Sequence, residues 1–284
     1  MMHKLASNNN IILIAGVYDV LSAKIAERAG FHAAVVTGFG VSASYLGEPD
    51  FGLMTQSEIM DTVRRICTAV SMGIIVDGDT GFGGALNVQR MVKECIKTGA
   101  MGILLEDQTW PKRCGHMKGK SVVPMEEHVQ KIKAAVDARE KAQFIITART
   151  DARDPLGLDE AIRRGKAYKE AGADIIFVEA PKTVKELERI ASEVPGPFTV
   201  NCIEGGATPI LSLEKYHEMG YLSVGYVLSG LFASARALDR TYRHIIENGS
   251  TDEIRDEMMD FEEFTDLIGV SEKYRLDEKY KWDK

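Results

Sequence analysis

Cysteine is scarce in this chain, and positive charge is outnumbered by negative charge. The 284 residues include four cysteines, which are too few for a disulfide scaffold and show no paired metal-ligand spacing. Lys and Arg total 35 against 42 Asp and Glu, giving a net charge of −7. Phosphate binding requires clustered Lys and Arg, so the charge argues against a nucleic-acid partner. The cysteine usage is typical of a reducing compartment, and we expect a cytoplasmic protein.

Long hydrophobic stretches are also missing. The apolar run over residues 11–17 is much shorter than the roughly 20 residues of a transmembrane helix. Asn8 to Asn10 precede this run, where a signal peptide would carry a basic segment. We therefore expect neither a membrane span nor a cleaved leader.

The chain lacks a linker rich in Pro, Gly or Ser, which favours one domain over residues 1–284. Its hydrophobic content of 45% and charged content of 27% are ordinary for a soluble enzyme. The length fits an α/β barrel, which typically takes about 250 residues. A doubly wound open sheet is the structural alternative, but the dinucleotide fingerprint G-x-G-x-x-G is missing after the first strand-like run.

Short apolar runs alternate with segments of helical periodicity along the chain. Such alternation predicts a parallel sheet buried on both faces, and eight units close into a barrel. The runs span residues 11–15, 33–37, 74–77, 102–105, 144–148, 175–179, 198–201 and 223–226. We therefore predict a (β/α)8 TIM-type barrel over about residues 11–247.

A helical extension is predicted over about residues 248–284, after the eight units. One helix is expected at about 229–247 and another at 252–267. The second carries surplus apolar residues, including Met258, Phe261 and Phe264. These residues would pack against a neighbouring subunit or cap the same barrel.

Polar residues end six of the predicted strands. The carboxyl ends of barrel strands form the active-site face, so these residues should converge there. A single polar strand end can be a helix cap, but six on one rim favour a functional site. The six groups are residues 37–40, residues 77–79, Glu106 with Asp107, residues 149–151, Glu179 and Asn201.

Hard oxygen ligands dominate one part of this rim. Asp77, Asp79 and Glu106 suit Mg²⁺, or Mn²⁺, with retained water molecules. Zinc is disfavoured because His116 is the only nearby imidazole. Arg149 lies inside an apolar run and would need an anion or a carboxylate as a buried partner.

The fifteen residues 106–120 predict a strand end that continues into a mobile loop, since Pro111, Gly115 and Gly119 oppose a helix. Cys114 is flanked there by three basic residues, Lys112, Arg113 and His116. These neighbours predict a thiol whose pKa is lowered toward neutrality. By contrast, Arg163 and Arg164 are expected on a solvated helix face.

Four motifs resemble those of the isocitrate lyase and phosphoenolpyruvate mutase superfamily. They are Val-Asp-Gly-Asp-Thr-Gly-Phe-Gly at 76–83, Leu-Glu-Asp-Gln at 105–108, Lys-Arg-Cys-Gly-His at 112–116 and Ala-Arg-Thr-Asp-Ala at 148–152. The match covers about residues 16–237. The third motif resembles that of the branch which cleaves or forms carbon–carbon bonds, together with a close carboxyphosphonoenolpyruvate mutase branch. The resemblance implies a (β/α)8 barrel whose last helix is swapped between the subunits of a homotetramer.

The resemblance also implies residue roles. Asp77 and Asp79 would be Mg²⁺ ligands, with Asp50 and Glu106 in the water shell. Cys114 would be the general acid. The remaining candidates are Arg149 facing the C2 oxygen, Thr37, Gly38 and Phe39 around the 2-oxo acid carboxylate, Gly115, Glu179 and Asn201 around the departing half, and His116 as a further substrate-binding residue. Glu179 is a candidate base for the 2-hydroxyl, although the sequence does not single one out.

Departures from the family pattern indicate the substrate class. Methylisocitrate lyases, as we align them, carry arginines where this chain has Phe232 and Phe261, so Phe232 is a candidate substrate-binding residue. The segment Glu-Gly-Gly-Ala-Thr-Pro at 204–209 is similar to the dimethylmalate lyase and oxaloacetate hydrolase group. We therefore expect a Mg²⁺-dependent lyase that cleaves a 2,3-dimethylmalate-like dicarboxylate to pyruvate and a carboxylic acid. The alternatives are a 2-methylisocitrate lyase acting on a tricarboxylate, an oxaloacetate hydrolase, a carboxyphosphonoenolpyruvate mutase and a non-catalytic barrel that binds a metal and a diacid.

Overall fold

Eight parallel strands form a closed barrel in the computed structural model, which describes residues 11–282. The strands are β1 Ile12–Val17, β2 Ala33–Val36, β3 Gly73–Asp77, β4 Gly102–Glu106, β5 Ile145–Thr150, β6 Ile175–Val178, β7 Phe198–Cys202 and β8 Tyr221–Tyr226. Each strand pairs with its sequence neighbours, and β8 pairs with β1. The predicted TIM-type barrel is confirmed, whereas Asn8 to Asn10 lie outside the described residues.

Helices follow the strands in the barrel. They are α1 Val20–Arg28, α2 Gly38–Val41, α3 Gln56–Ala69, α4 Ala85–Lys97, α5 Met125–Arg139, α6 Arg153–Leu156, α7 Leu158–Glu170, α8 Val184–Glu193 and α9 Leu213–Glu218, with a π-helical turn at Ser42–Leu46. Helix α3 shows how the sequence fixes such a segment. The Thr55 hydroxyl accepts from the Glu58 backbone N–H, and the Glu58 carboxylate accepts from the Thr55 N–H at 2.8 Å. This capping box starts a helix whose buried face is Ile59, Met60, Val63 and Ile66.

Two hydrophobic clusters explain why the strands read as continuous apolar runs. On β1, Ile12 and Ile14 belong to the smaller cluster, which includes Val35, Ile75 and Met101. Ala15 and Val17 of the same strand belong to the larger cluster, which includes residues from the surrounding helices. Each strand is therefore buried on both faces.

The chain divides into two compact units between Leu231 and Phe232. Helix α10, Ser229–Asn248, crosses this boundary, and a 3₁₀ helix at Asp252–Glu257, α11 Phe261–Leu267 and α12 Val270–Lys279 complete the second unit. The prediction of one helix over 252–267 is wrong. Met258 has extended backbone, and the Asp260 carboxylate accepts from the Glu263 N–H at 2.7 Å, which caps a new helix.

No membrane-spanning helix occurs among the same described residues. None of their helices combines the length and apolar character that crossing a bilayer demands.

Candidate active site

A cavity of about 850 Å³, including its open mouth, lies at the carboxyl ends of the strands. Most of the predicted site residues line it: Thr37, Phe39, Asp50, Asp77, Cys114, Gly115, His116, Arg149, Glu179 and Asn201. Gly38, Asp79 and Glu106 instead contact residues of the lining. Phe232 belongs to the second compact unit.

Carboxylates from two strand ends and a loop meet around Lys112. Asp77 is the last residue of β3, and its carboxylate accepts from the backbone N–H groups of Gly38, at 3.1 Å, and Asp79, at 3.2 Å. The Lys112 ammonium is buried 2.5 Å from Asp79 Oδ1 and 2.7 Å from Asp50 Oδ1. Sequence reasoning did not place Lys112 among the site residues, and only its position in the Lys-Arg-Cys-Gly-His motif could have indicated it.

Position 38 leaves little room for a side chain. A Cβ atom there would lie 3.1 Å from Asp77 Oδ2 and 3.4 Å from Asp79 Oδ1. The backbone of Gly38 can therefore approach both carboxylates, and its N–H is directed at one of them.

The carboxylates of this cluster are strongly perturbed. Burial raises the pKa of Asp79 to about 7, against the attraction of Lys112. Burial also raises the pKa of Glu106, the last residue of β4, which has a carboxylate oxygen, Oε1, without a hydrogen-bond partner among the described residues. Buried carboxylate oxygens that lack enough hydrogen-bond donors suit a hard cation.

The donor set fits Mg²⁺ in its chemistry. Within residues 11–282, no three acidic, His or Cys side chains form a ready-made metal cage. Mg²⁺ does not require one, because it usually binds through one or two carboxylates and keeps several water molecules.

Arg149 is buried at the end of β5 and is surrounded by carboxylates. Its guanidinium donates to both oxygens of Asp151, at 2.8 and 3.0 Å. It also lies 3.0 Å from Glu179 Oε2 and 3.4 Å from Glu106 Oε2. The expectation that a carboxylate would meet this arginine is confirmed, although Asp151 was named only among the polar strand ends and was given no role.

Glu179, directly after β6, is held as a carboxylate between two donors. Burial alone would raise its pKa, but Arg149 and His116 lower it to about 2. His116 Nδ1 accepts from the Ala207 N–H at 3.0 Å, so we assign the ring proton to Nε2, which faces Glu179 Oε1 at 3.1 Å. Glu179 is therefore ionised at neutral pH and is a weak proton acceptor.

Cys114 differs from its prediction. Burial raises the pKa of its thiol to about 11, so the predicted lowering is wrong. The basic neighbours in sequence are engaged elsewhere, since Lys112 contacts carboxylates and Arg113 Nη1 donates to the Lys118 carbonyl at 3.1 Å. Cys114 therefore keeps its proton at neutral pH, which suits a proton donor better than a nucleophile.

The loop between β4 and α5 packs tightly on Arg149 and Glu179. A Cβ atom at Gly115 would lie 2.3 Å from Arg149 Nη2 and 2.4 Å from Glu179 Cγ. The Gln108 side chain braces the loop by exchanging two hydrogen bonds with the Arg113 backbone, at 2.8 and 3.0 Å. Cys114 is held in turn by its N–H, which donates to the Asp50 carbonyl at 3.2 Å.

A second buried network lies behind Asp151. Asp107 accepts from the Asp151 N–H at 2.8 Å, the Tyr168 hydroxyl at 2.7 Å and the Arg164 guanidinium at 2.9 Å. The expectation of a solvated Arg164 is therefore wrong, because α7 turns this side chain toward the strand ends. Arg163, one residue earlier, is exposed as expected.

Apolar side chains line the same cavity. Phe39, Ile203, Val227 and Leu228 contribute to the lining and belong to one hydrophobic cluster. The cavity therefore offers charged groups and an apolar surface to one small molecule.

Comparisons with known proteins agree with this geometry. The model of the phosphoenolpyruvate phosphomutase family matches residues 2–270. The petal death protein of Dianthus caryophyllus is 48% identical over 281 residues, which are 99% of this chain and 88% of that protein. The 2,3-dimethylmalate lyase of Eubacterium barkeri is 43% identical over 279 residues, covering 98% of this chain and 96% of the relative.

Solved structures give the same relationship. An oxaloacetate acetylhydrolase bound to 3,3-difluorooxalacetate superposes with a TM-score of 0.91 at 31% identity, covering 98% of this chain and 95% of that one. A 2,3-dimethylmalate lyase described as a member of the phosphoenolpyruvate mutase/isocitrate lyase superfamily gives 0.90 at 31% identity, with coverages of 98% and 92%. A phosphonopyruvate hydrolase in complex with oxalate and Mg²⁺ gives 0.87 at 31% identity, with coverages of 98% and 97%.

Proposed function

The chain belongs to the phosphoenolpyruvate mutase/isocitrate lyase superfamily and is an enzyme, and from this premise we propose that it cleaves a carbon–carbon bond of a 2-hydroxy dicarboxylate. The favoured substrate resembles 2,3-dimethylmalate, and the products are pyruvate and a carboxylic acid. The observation that carries the proposal is the half-buried, protonated thiol of Cys114 in the lining of a cavity with both carboxylate-lined and apolar parts.

The carboxylate cluster is proposed to hold Mg²⁺, through Asp77 and Asp79 directly and through Asp50 and Glu106 by way of water. When bound, the ion would polarise the substrate carboxylate and its adjacent 2-hydroxyl. Thr37, Gly38 and Phe39 would orient the same carboxylate. A solved relative that contains oxalate and Mg²⁺ supports this assignment.

Cleavage requires one proton to leave the 2-hydroxyl and another to reach the departing carbon. The oxygen electron pair forms the C2 carbonyl, and the electrons of the C2–C3 bond pass to C3. The Cys114 thiol donates its proton to C3, the hydroxyl proton passes to water, and the thiolate recovers a proton from water before the next turnover. Arg149 would stabilise the negative charge on the C2 oxygen.

Glu179 is proposed to orient groups rather than to accept the hydroxyl proton. Its pKa of about 2 makes it a weak base, and its two oxygens face Arg149 and His116. Gly115, His116 and Asn201 would contact the departing half.

The apolar lining supports a substrate with alkyl substituents. Ile203, Val227 and Leu228 can cover methyl groups but cannot pair with a third carboxylate. Phe232 stays a proposed substrate-binding residue. Substituting it by arginine should shift the relative rate toward 2-methylisocitrate.

The testing experiment is an assay of Mg²⁺-dependent pyruvate release. We expect 2,3-dimethylmalate to be turned over faster than 2-methylisocitrate and isocitrate. For oxaloacetate the disappearance of the substrate is measured, because its hydrolysis yields oxalate and acetate and no pyruvate. A phosphonate substrate tests the mutase alternative. Turnover of the tricarboxylate alone, or of the phosphonate alone, would reject the proposal.

Assembly and location are proposals as well. Helix α10 spans 20 residues without a buried side chain, and Tyr242, Ile246 and Phe261 are exposed. We propose that a second copy of the chain covers them, as in a helix-swapped homotetramer. Light scattering should then give four times the 31.3 kDa of one chain, and the expected cytoplasmic location stays a prediction.

A further inference from the structure

Lys120 is a buried lysine outside the roles assigned so far. It follows Gly119 in the loop between β4 and α5, and its side chain is only 1% exposed. A buried ammonium is costly unless it is paired, so its partners indicate what the local structure is built to hold.

The Lys120 ammonium joins the catalytic loop to the barrel. It donates to the carbonyl oxygen of Gly115, the residue that follows Cys114. It also donates to Asp151 Oδ1 at 3.2 Å. One end of this bridge is therefore on the loop and the other is beyond the carboxyl end of β5.

The same oxygen of Asp151 also accepts from Arg149. The distance from Arg149 Nη2 to Asp151 Oδ1 is 3.0 Å. Asp151 thus connects the proposed substrate-facing arginine to Lys120, and Lys120 connects to the proton-donor loop. Lys120 belongs to the same loop as Gly115, so lifting this loop would draw its ammonium away from Asp151 and break the bond between loop and barrel.

We propose that Lys120 is a positioning residue that holds the Cys114 loop closed against Arg149. The inference rests on the proposed function, because it takes Cys114 as the proton donor. Closure then depends on the pairing of Lys120 with Asp151, and the Gly115 carbonyl that Lys120 also binds keeps the neighbouring thiol aligned. Misplacing a reacting group by about 1 Å can cost about 100-fold in rate.

The experiment measures loop closure through protection of Cys114. The full-length enzyme is treated with iodoacetamide, with and without Mg²⁺ and oxalate, and labelling of the Cys114 peptide is followed by mass spectrometry. In the unsubstituted enzyme, oxalate should slow this labelling by about tenfold or more, as closure excludes the reagent. In Lys120→Met, calorimetry should still detect oxalate binding, but protection should fall below about twofold.

Two further variants sharpen the result. Lys118→Met removes an exposed lysine of the same loop and should protect Cys114 as the unsubstituted enzyme does. Lys120→Gln keeps a hydrogen-bond donor, is less disruptive than methionine, and should show intermediate protection. A merely structural role would lower thermal stability without separating oxalate binding from Cys114 protection.

The outcomes separate this inference from the proposed function. Equal protection in Lys120→Met, Lys120→Gln and the unsubstituted enzyme would overturn the role of Lys120, even with full dimethylmalate turnover. Lack of protection in the unsubstituted enzyme would overturn it too. If protection is lost only on changing Lys120 while no dicarboxylate is cleaved, the positioning role is supported and the substrate proposal fails.

Discussion

Cys114 shows how the surroundings of one side chain set its chemistry. The basic residues beside it in sequence are directed to other partners, and burial keeps the proton on sulfur. A thiol of this kind can give a proton to a carbanion in a site from which water is excluded.

Cys114→Ser is predicted to reduce turnover by about 100-fold or more, the usual contribution of a general acid. Oxalate binding should persist, because the carboxylate-binding groups stay in place. Steady-state kinetics and calorimetry measure the two effects. Cys67→Ser, which changes a half-buried cysteine of α3, is the matched control and should leave kcat unchanged. Full turnover by the Cys114 variant would contradict the donor role.

At the scale of elements, the loop between β4 and α5 joins the site to the barrel. Asp50, Arg149 and Glu179 lie far apart in sequence, yet each is close to this loop. A displacement of any of these residues would therefore change the packing of the loop.

Gly115→Ala is predicted to lower kcat by about 100-fold, because its Cβ would overlap Arg149 and Glu179 and displace the loop. Gly84→Ala is the control, since a Cβ there would have no neighbouring atom within 4 Å. Steady-state kinetics of both variants measure kcat and so test this prediction. If the Gly115 variant is as active as the control, close contact between loop and arginine is unnecessary for turnover.

Helix α7 is anchored to the strand ends by Arg164. Arg164→Met would leave the buried Asp107 carboxylate short of its cationic partner, and we expect the free energy of unfolding to fall by about 3 kcal/mol. Arg163→Met, on the exposed side of the same helix, should change it by less than about 0.5 kcal/mol. Urea denaturation measures both values, and equal effects would argue against a structural role for the buried network.

For the whole molecule, stability in mild acid should depend on His128. This histidine is buried against the ring of Tyr168, with a centroid distance of 4.6 Å. Burial, together with Lys131 and Arg164, lowers its pKa from 6.5 to about 3. Below pH 6.5 His128 is therefore protonated in the unfolded chain but stays neutral in the folded chain. The free energy of unfolding consequently falls as the pH decreases from 6.5 toward 3.

Between pH 7 and pH 5, His128 should account for about 2 kcal/mol of lost unfolding free energy. His128→Asn is predicted to be less stable at pH 7 but to lose about 2 kcal/mol less on acidification. His217→Asn, at an exposed position of α9, is the control and should keep the full dependence. Denaturation curves at both pH values test this, and identical pH dependence in all three proteins would refute it.

The sequence by itself determined the barrel and the location of its site. Strand and helix periodicity are local patterns, and the polar strand ends at Asp77, Glu106, Arg149 and Glu179 follow from where each apolar run stops. Barrel closure then brings those ends together, whatever the details of packing. The break before α11 was missed because the cap at Asp260 interrupts a pattern that reads as continuous.

Only the tertiary structure decided which buried cationic and acidic side chains form ion pairs. Arg164 reaches Asp107 across 57 positions of sequence, Lys112 reaches Asp50 across 62, and Lys120 reaches Asp151 across 31. These pairings, and the burial that goes with them, set the protonation of Cys114 and the orientation of Arg149. Neighbours in sequence could not reveal them, because the energy of a buried charge depends on the atoms that surround it in space.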